Sequence, residues 1–328
     1  MKALALFSGG LDSMLAIKLI TDQGIDVVAL HMDTGFGVDE EKFHVLKRRA
    51  KIAGASFKVV DIKNKYLQEV LFTPKFGYGR QFNPCIDCHG HMFKVALAML
   101  EEESASFVIT GEVIGQRPMS QRREALNQVK KLASDDEDLV LRPMCAKLLN
   151  PTKPEREGWV DREKLLNFSG RDRKPQLTLA KKFGFDDYAT PGGGCLLTVE
   201  SFAVKIKEYL KFDKDMRDID VTWLKLGRHL RLKNGAKMII GRDENDNKML
   251  LNSPNDKFHM ISFLDDIVGA VSFIDKNADD EDLNFACRLA LAYTKAPKDK
   301  SVNIKVGDKN LEVIPFEDKA IAQNFFVK

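Results

Sequence analysis

The chain opens on an apolar run, Ala3-Leu4-Ala5-Leu6-Phe7. It is followed at once by Ser8-Gly9-Gly10-Leu11-Asp12-Ser13 and then by Leu11, Met14, Leu15 and Leu19 at helical spacing. That periodicity predicts a helix, with Gly24 placed to stop it before a second apolar run, Val27-Val28-Ala29-Leu30. Strand, glycine turn, helix, strand is a βαβ unit, the building block of a parallel sheet. Phe107-Val108-Ile109-Thr110 has the same buried-strand pattern, and Gly111 opens a loop at its carboxyl end. The polar stretch around Pro84 predicts a loop running into a helix from about His91 to Glu102. Asn150 to Trp159 breaks regular structure, and Asp161 to Leu166 is expected to start a new helix.

Beyond residue 200 the pattern changes. Ser201 to Leu210 reads as a connecting helix, and Lys211-Phe212-Asp213-Lys214-Asp215 as a charged linker. From about Val221 apolar positions alternate (Leu224, Leu226, Leu230, Leu232, then Met238-Ile239-Ile240), with the tight-turn pair Asn234-Gly235 between them. Asp280 to Thr294 is helical in pattern, and Val302 to Lys305 and Leu311 to Ile314 are strands. The expected fold class is therefore α/β, a doubly wound parallel sheet followed by a smaller α+β domain. The boundaries fall at 1–198, a connector at 199–217, and 218–328.

Composition narrows the class. The 328 residues are 44% hydrophobic and 30% charged, the proportions of a soluble globular protein long enough for two domains. No apolar run reaches membrane-spanning length and no secretory leader is evident, so a cytoplasmic location without a membrane partner is expected. A net charge of +3 is too small to demand a nucleic-acid partner. The local clusters Lys47-Arg48-Arg49, Arg171-Asp172-Arg173-Lys174 and Lys225 to Lys233 are more suggestive, although taken singly each is an ordinary solvated face.

Candidate chemistry begins at Ser8 to Ser13. Two glycines let backbone approach an anion, the serines offer hydroxyls, and the start of the next helix adds its N–H groups and dipole. Asp12 would repel phosphate, which implies a divalent cation or another partner beside it. No Gly-Lys-Ser or Gly-Lys-Thr follows, so the loop is not of the Walker type.

The cysteines form the second constellation. Cys85 and Cys88 make a Cys-x-x-Cys that is open to three readings: zinc ligands, a redox dithiol or iron-sulfur ligands. Cys195 sits in Thr190-Pro191-Gly192-Gly193-Gly194-Cys195, a loop of close-approach glycines. Three cysteines suit a 4Fe-4S cluster whose fourth iron stays open, whereas His89 would complete a Cys3His site for Zn2+. Cys145 and Cys287 lie in apolar surroundings and read as structural thiols.

The glycine loop resembles the SGGxDS motif of the PP-loop ATP pyrophosphatase superfamily, whose members adenylate a carbonyl or carboxyl oxygen with ATP. Residues 107 to 121 are similar to the Gly-Asp/Glu-x-x-Gly-Gln-x-x-Ser-Gln block of ThiI-type tRNA 4-thiouridine synthetases, and the resemblance spans roughly residues 1–198. It implies that Ser8, Gly9, Gly10, Asp12 and Ser13 bind the β- and γ-phosphates with Mg2+. His31, Met32 and Asp33 would lie near the adenine or ribose, and Gly111, Glu112 and Gln116 would line the α-phosphate. Cys85, Cys88 and Cys195 would ligate the 4Fe-4S cluster or include a persulfide carrier. The implied reaction adenylates a uracil carbonyl of tRNA and replaces AMP with sulfur from sulfide or a cysteine desulfurase persulfide. Cluster-bearing members are often dimeric, so a homodimer is one option, although no segment reads as an obligate interface. With the first strand opening at residue 3, the amino-terminal THUMP region of bacterial members is expected to be absent, as is a rhodanese-like extension.

Ile239-Ile240-Gly241-Arg242-Asp243-Glu244-Asn245-Asp246-Asn247 resembles the Val-Gly-Arg/Lys-Asn-x-x-x-Asn block of NFACT-R RNA-binding modules, with Asp243 where asparagine is usual. That resemblance implies phosphate contacts from Arg228, Arg231, Lys233, Lys237 and Arg242. Two rival functions stand beside thiolation: a PP-loop ligase or amidotransferase acting on a small molecule with structural zinc, and a non-catalytic RNA-binding factor liganded by ATP.

Overall fold

A computed structural model describes residues 1–189, 194–264 and 267–328. The chain divides into two compact units, Met1–Val199 and Glu200–Lys328.

The first unit carries five strands, β1 (Lys2–Leu6), β2 (Asp26–Asp33), β3 (Ser56–Asp61), β4 (Phe107–Thr110) and β5 (Val140–Leu141), in the order β3-β2-β1-β4-β5. Every pairing is parallel. Its α-helices are α1 (Leu11–Thr21), α2 (Phe43–Ile52), α3 (Lys63–Tyr66), α4 (Cys85–Ala98), α5 (Arg123–Ala133), α6 (Lys153–Arg156) and α7 (Lys174–Phe183). Alternation along the strands sorts them between two cores. Ala3, Ala5, Phe107 and Ile109 pack with α1, α2 and α7, while Leu4, Val108, Leu30 and Met32 pack with α4 and α5. Helices thus cover both faces, as an all-parallel sheet requires. Strand order reverses beside β1, whose neighbours are β2 and β4. In doubly wound sheets ligands bind at the carboxyl ends of strands flanking such a point.

Two expectations in this unit are corrected. The Cys-x-x-Cys lies in the first turn of a helix that begins at Cys85, six residues before the expected start. Asp87 looked like a loop residue, yet its buried carboxylate accepts the backbone N–H groups of Lys75 (2.7 Å) and Phe76 (3.1 Å), so it anchors the preceding loop to the helix. Asp161 to Leu166 makes only the 3-10 turn Arg162–Lys164, because Leu165 is drawn extended into the core and the Leu166 N–H bonds the Pro143 carbonyl.

The second unit is a six-stranded antiparallel sheet with flanking helices. Its elements in chain order are α8 (Glu200–Phe212), α9 (Asp218–Lys225), β6 (Arg228–Arg231), β7 (Lys237–Ile240), α10 (Glu244–Asn252), β8 (Phe258–Phe263), β9 (Ser272–Asp275), α11 (Asp280–Ala292), β10 (Val302–Val306) and β11 (Lys309–Val313). The strand order is β11-β10-β8-β9-β7-β6, and α11 packs its apolar face, including buried Cys287, into the main core. Asn234-Gly235 turns the β6–β7 hairpin, with Gly235 at φ +100°.

Val221 and Leu224, expected at the head of a strand, lie instead in α9. Asp220 sets that helix by accepting from the backbone N–H and Nε of Arg217 (3.0 and 3.2 Å). The supposed linker is also structured. The Tyr209 hydroxyl (3.0 Å) and the Lys257 ammonium (2.6 Å) both donate to Asp213, which closes α8. Asp243, the departure from asparagine, caps α10 by accepting the Asp246 N–H at 2.9 Å.

Candidate active site

The residues after β1 and after β4 meet. A Cβ on Gly111 would fall 2.5 Å from the Ser13 backbone nitrogen and 2.6 Å from the Asp12 carbonyl carbon. Only glycine allows this approach of two main chains. Gly9 holds φ +71°, and Gly10 starts α1 without a side-chain cap. The first turn of α1 therefore presents backbone donors unopposed by any capping side chain, the local arrangement that binds anions. Ser13 Oγ donates back to the Gly10 carbonyl at 2.8 Å, and exposed Ser8 accepts weakly from the Gly10 N–H at 3.4 Å.

Asp12 has protein partners. Gln116 Nε2 donates to its carboxylate at 2.8 Å, and Arg173 Nη2 stands 3.4 Å away. Gln176, buried in α7, donates to Gln116 at 3.1 Å. The sequence had placed Arg173 in a surface charge cluster and had not singled out Gln176. Of the second-strand residues, His31 is buried with Nδ1 3.3 Å from the Phe7 carbonyl, and burial lowers its pKa. Met32 belongs to the core, and Asp33 accepts the Gly35 N–H at 2.9 Å and pairs with Lys63 at 3.3 Å.

Glu112, one residue beyond Gly111, is buried between Arg142 and His89. Arg142 Nε lies 2.9 Å from one carboxylate oxygen and His89 Nδ1 lies 2.7 Å from the other. Burial alone would raise the Glu112 pKa, but Arg142 and His89 outweigh it and hold the carboxyl below its ordinary range. His89 follows Cys88 directly, so this bridge ties the β4 loop to the thiol helix. Arg142, at the carboxyl end of β5, was missed in the sequence, although cations at strand ends in such sheets are natural site candidates.

The three thiols also converge. Cys85 and Cys88 lie three apart on α4, hence on one side of the helix. The residues that follow Cys195 are held by backbone bonds: the Leu196 N–H bonds the Phe36 carbonyl (2.8 Å), and the Phe82 N–H, three residues before Cys85, bonds the Leu197 carbonyl (3.2 Å). Cys85, Cys88 and Cys195 lie within electrostatic reach of one another and of buried Tyr66, which stands beside Cys88. Nothing in the sequence pointed to Tyr66. Burial pushes the Cys88 thiol well above its ordinary pKa and Cys195 up to about 11. Among the described residues no three His, Cys, Asp or Glu side chains are drawn together tightly enough to hold a single metal ion. Of the glycine loop before Cys195, Thr190, Pro191, Gly192 and Gly193 lie outside the described residues. Cys145 is buried, its thiol donating to the Glu112 carbonyl at 3.4 Å, as expected of a structural cysteine.

In the second unit most expected phosphate contacts are already neutralised. Lys237 is a correction: it is buried against Glu208, and burial lowers it to about 8, so it does not present a charge to solvent. Arg231 shares Glu208 at 2.6 Å and lies 3.7 Å over the Phe212 ring. Arg242 Nη2 donates to Asp246 at 2.9 Å, Lys233 pairs with Glu281 at 2.9 Å, and Arg228 donates to the Gly241 carbonyl at 2.9 Å. Lys207 and Lys211 were not singled out. They line a recess of about 440 Å³ with Arg231 and the carboxyl-terminal Asn324 to Lys328. No helix among the described residues is long and apolar enough to cross a membrane.

Comparison with known proteins follows this division. Residues 1–147 match the family described as thiamine biosynthesis protein (ThiI), and residues 227–326 match the NFACT protein RNA binding domain. A protein of Methanothermobacter thermautotrophicus named "Probable tRNA sulfurtransferase" is 33% identical over 127 residues, 35% of this chain and 30% of that one. The tRNA-specific 2-thiouridylase MnmA of Petrotoga mobilis is 30% identical over 130 residues, 34% of this chain and 35% of that one. The chain thus spans about a third of the length of these relatives. A solved 4-thiouridine synthetase–RNA complex with bound ATP aligns at 22% identity and a TM-score of 0.39, covering 56% of this chain and 41% of that one. The two family matches fall one in each unit, so the first unit is similar to the ThiI family and the second to the NFACT RNA binding domain.

Proposed function

We propose that this protein thiolates a uridine of tRNA, using ATP to activate the carbonyl oxygen that sulfur replaces. The observation that carries this reading is the convergence of Cys85, Cys88 and Cys195 on a helix joined through His89 and Glu112 to the loop that abuts Asp12 and Ser13.

In this reading the N–H groups opening α1, with Ser8 and Ser13, hold the phosphates, and Asp12 supplies a carboxylate oxygen to the accompanying Mg2+. Gly111 brings the β4 loop against the phosphates, and Gln116 orients Asp12. Buried Glu112 fixes His89 and so sets the helix that carries the thiols. The all-sulfur donor set of Cys85, Cys88 and Cys195 suits a 4Fe-4S cluster, which spreads its thiolates over different irons, better than one zinc, whose ligands must share a point about 2.3 Å away. Such a cluster, when bound, supplies an open iron position for sulfide. The role of the chain is then to bring activated carbon and sulfur together, which accounts for much of the acceleration. For RNA, exposed Lys207 and Lys211 of the second unit are the contacts this reading uses, positioning the backbone rather than reading bases.

The test is thionucleoside analysis of tRNA by mass spectrometry after incubation with the anaerobically purified protein, ATP and sulfide. A new thiouridine lost in Cys85→Ser and Cys195→Ser is expected, with AMP and pyrophosphate released in step. No thionucleoside from a protein loaded with iron and sulfide would sink the reading, and one zinc per chain in its place would favour a ligase.

A further inference from the structure

Arg173 is the residue of the nucleotide site that neither the motif nor the mechanism uses. Among the described residues its carboxylate contact is with Asp12, through Nη2 at 3.4 and 3.5 Å from the two oxygens. Structural arginine pairs elsewhere in the chain are tighter. Arg217 grips Asp256 with two nitrogens at 2.8 Å each, and Arg142 meets Glu112 at 2.9 Å. Arg173 also keeps Nε buried with no acceptor among the described residues. A buried guanidinium donor left unmatched is costly, and a planar fork of donors suits phosphate.

The guanidinium is placed independently of Asp12. Ser169 bridges to Ile114 on the β4 loop, and the Gly170 N–H bonds the Ile114 carbonyl at 2.8 Å. Gln176 is anchored on Gln116, and α7 packs beside α1 through Leu179 and Ala180. The segment from Ser169 to Gln176 therefore holds a cation beside the first turn of α1, where the loop glycines invite an anion. In the ligand-free protein the nearest negative charge is Asp12. A phosphate with its own dication would draw Asp12 toward the metal and leave Arg173 an oxygen of higher charge.

We propose that Arg173 is a phosphate-binding residue of the nucleotide site, parked on Asp12 until a nucleoside triphosphate arrives, and that the segment Ser169 to Gln176 completes that site. The proposal rests on the reading of the α1 loop as an ATP site and adds to it a clamp from the far side of the sheet topology.

Equilibrium binding of magnesium-ATP and of adenosine to the full chain separates the two ideas. Wild-type protein that binds no ATP would remove the underlying reading. If wild type binds, Arg173→Gln should weaken ATP by about 10- to 100-fold, the range spanned by one charge-assisted hydrogen bond, and leave adenosine unchanged. Arg173→Lys should fall between them, since a point charge recovers attraction but not the fork. Thermal unfolding of each ligand-free variant checks the fold. Equal ATP affinity in a folded Arg173→Gln, or a parallel loss of ATP and adenosine, would overturn the clamp, leaving Arg173 as a structural partner of Asp12.

Discussion

The two units use charge in opposite ways. In the first, Glu112, Arg142, His89, Asp12, Gln116 and Arg173 gather at the carboxyl ends of parallel strands, with donors such as Arg173 Nε still unmatched. In the second, Arg231 of β6 and Lys237 of β7 share Glu208, and Arg242 just beyond β7 pairs with Asp246. The first arrangement keeps donors for a ligand, whereas the second spends them on holding the sheet to its helices. A count of lysines and arginines does not distinguish these cases, because the partner carboxylates lie up to 29 positions away.

The sharpest test of that contrast is stability. Glu112→Gln leaves Arg142 buried without its carboxylate and should cost about 3–5 kcal/mol in urea unfolding of the first unit. Arg242→Ala, which removes a half-exposed partner, should cost roughly 1 kcal/mol or less. Equal costs would erase the distinction. Gly111→Ala comes next. Its methyl would strike main chain rather than a movable side chain, so about 1–3 kcal/mol of stability should be lost together with measurable ATP binding. Retained ATP affinity would mean that the β4 loop does not close on the nucleotide.

For the second unit, Lys207→Glu combined with Lys211→Glu should weaken tRNA binding and reduce the salt dependence of log affinity by about two phosphate contacts. Lys237→Met should leave both close to wild type, since that ammonium is buried. The opposite ranking, read by filter binding across salt, would restore Lys237 as an RNA contact.

The smallest expected effect is in pH. Glu112 is held below its ordinary pKa, so its stabilisation is present above the unfolded value and lost as pH falls through the folded one. Lys205 runs the other way. Burial brings it from 10.5 to about 8, so between those values the unfolded chain holds a proton that the folded unit has released, and stability rises with pH. Fluorescence of Trp223, isolated by Trp159→Phe, reports on that unit alone. The rise should fall to about half in Lys205→Met, because Lys237, also lowered to about 8, titrates in the same window, and an unchanged rise would assign it to another group.

Much of the fold was legible because its signals are local. The apolar run before Ser8, the helical spacing of Leu11 to Leu19 and the strand Phe107 to Thr110 each follow from side-chain periodicity within a few residues. Errors fell where a distant partner overrides a local polar pattern. Asp87 looked like a loop residue until the N–H groups of Lys75 and Phe76 claimed it, and Val221 to Leu224 read as strand because the cap formed by Arg217 and Asp220 was invisible to alternation.

The sequence by itself determined which groups are on offer: a glycine turn between a strand and a helix, a Cys-x-x-Cys with a third thiol at Cys195, and a cluster of lysines and arginines between Lys225 and Lys233. Only the tertiary structure decided which groups act together. Parallel order around β1 set Gly111 against Asp12, backbone bonds from Phe36 and Phe82 brought Cys195 to the thiol helix, and α7 delivered Arg173 across more than 150 residues. The physical reason is that a site is a sum of long-range contacts, each fixed by the packing of whole elements, and no window of sequence contains both partners.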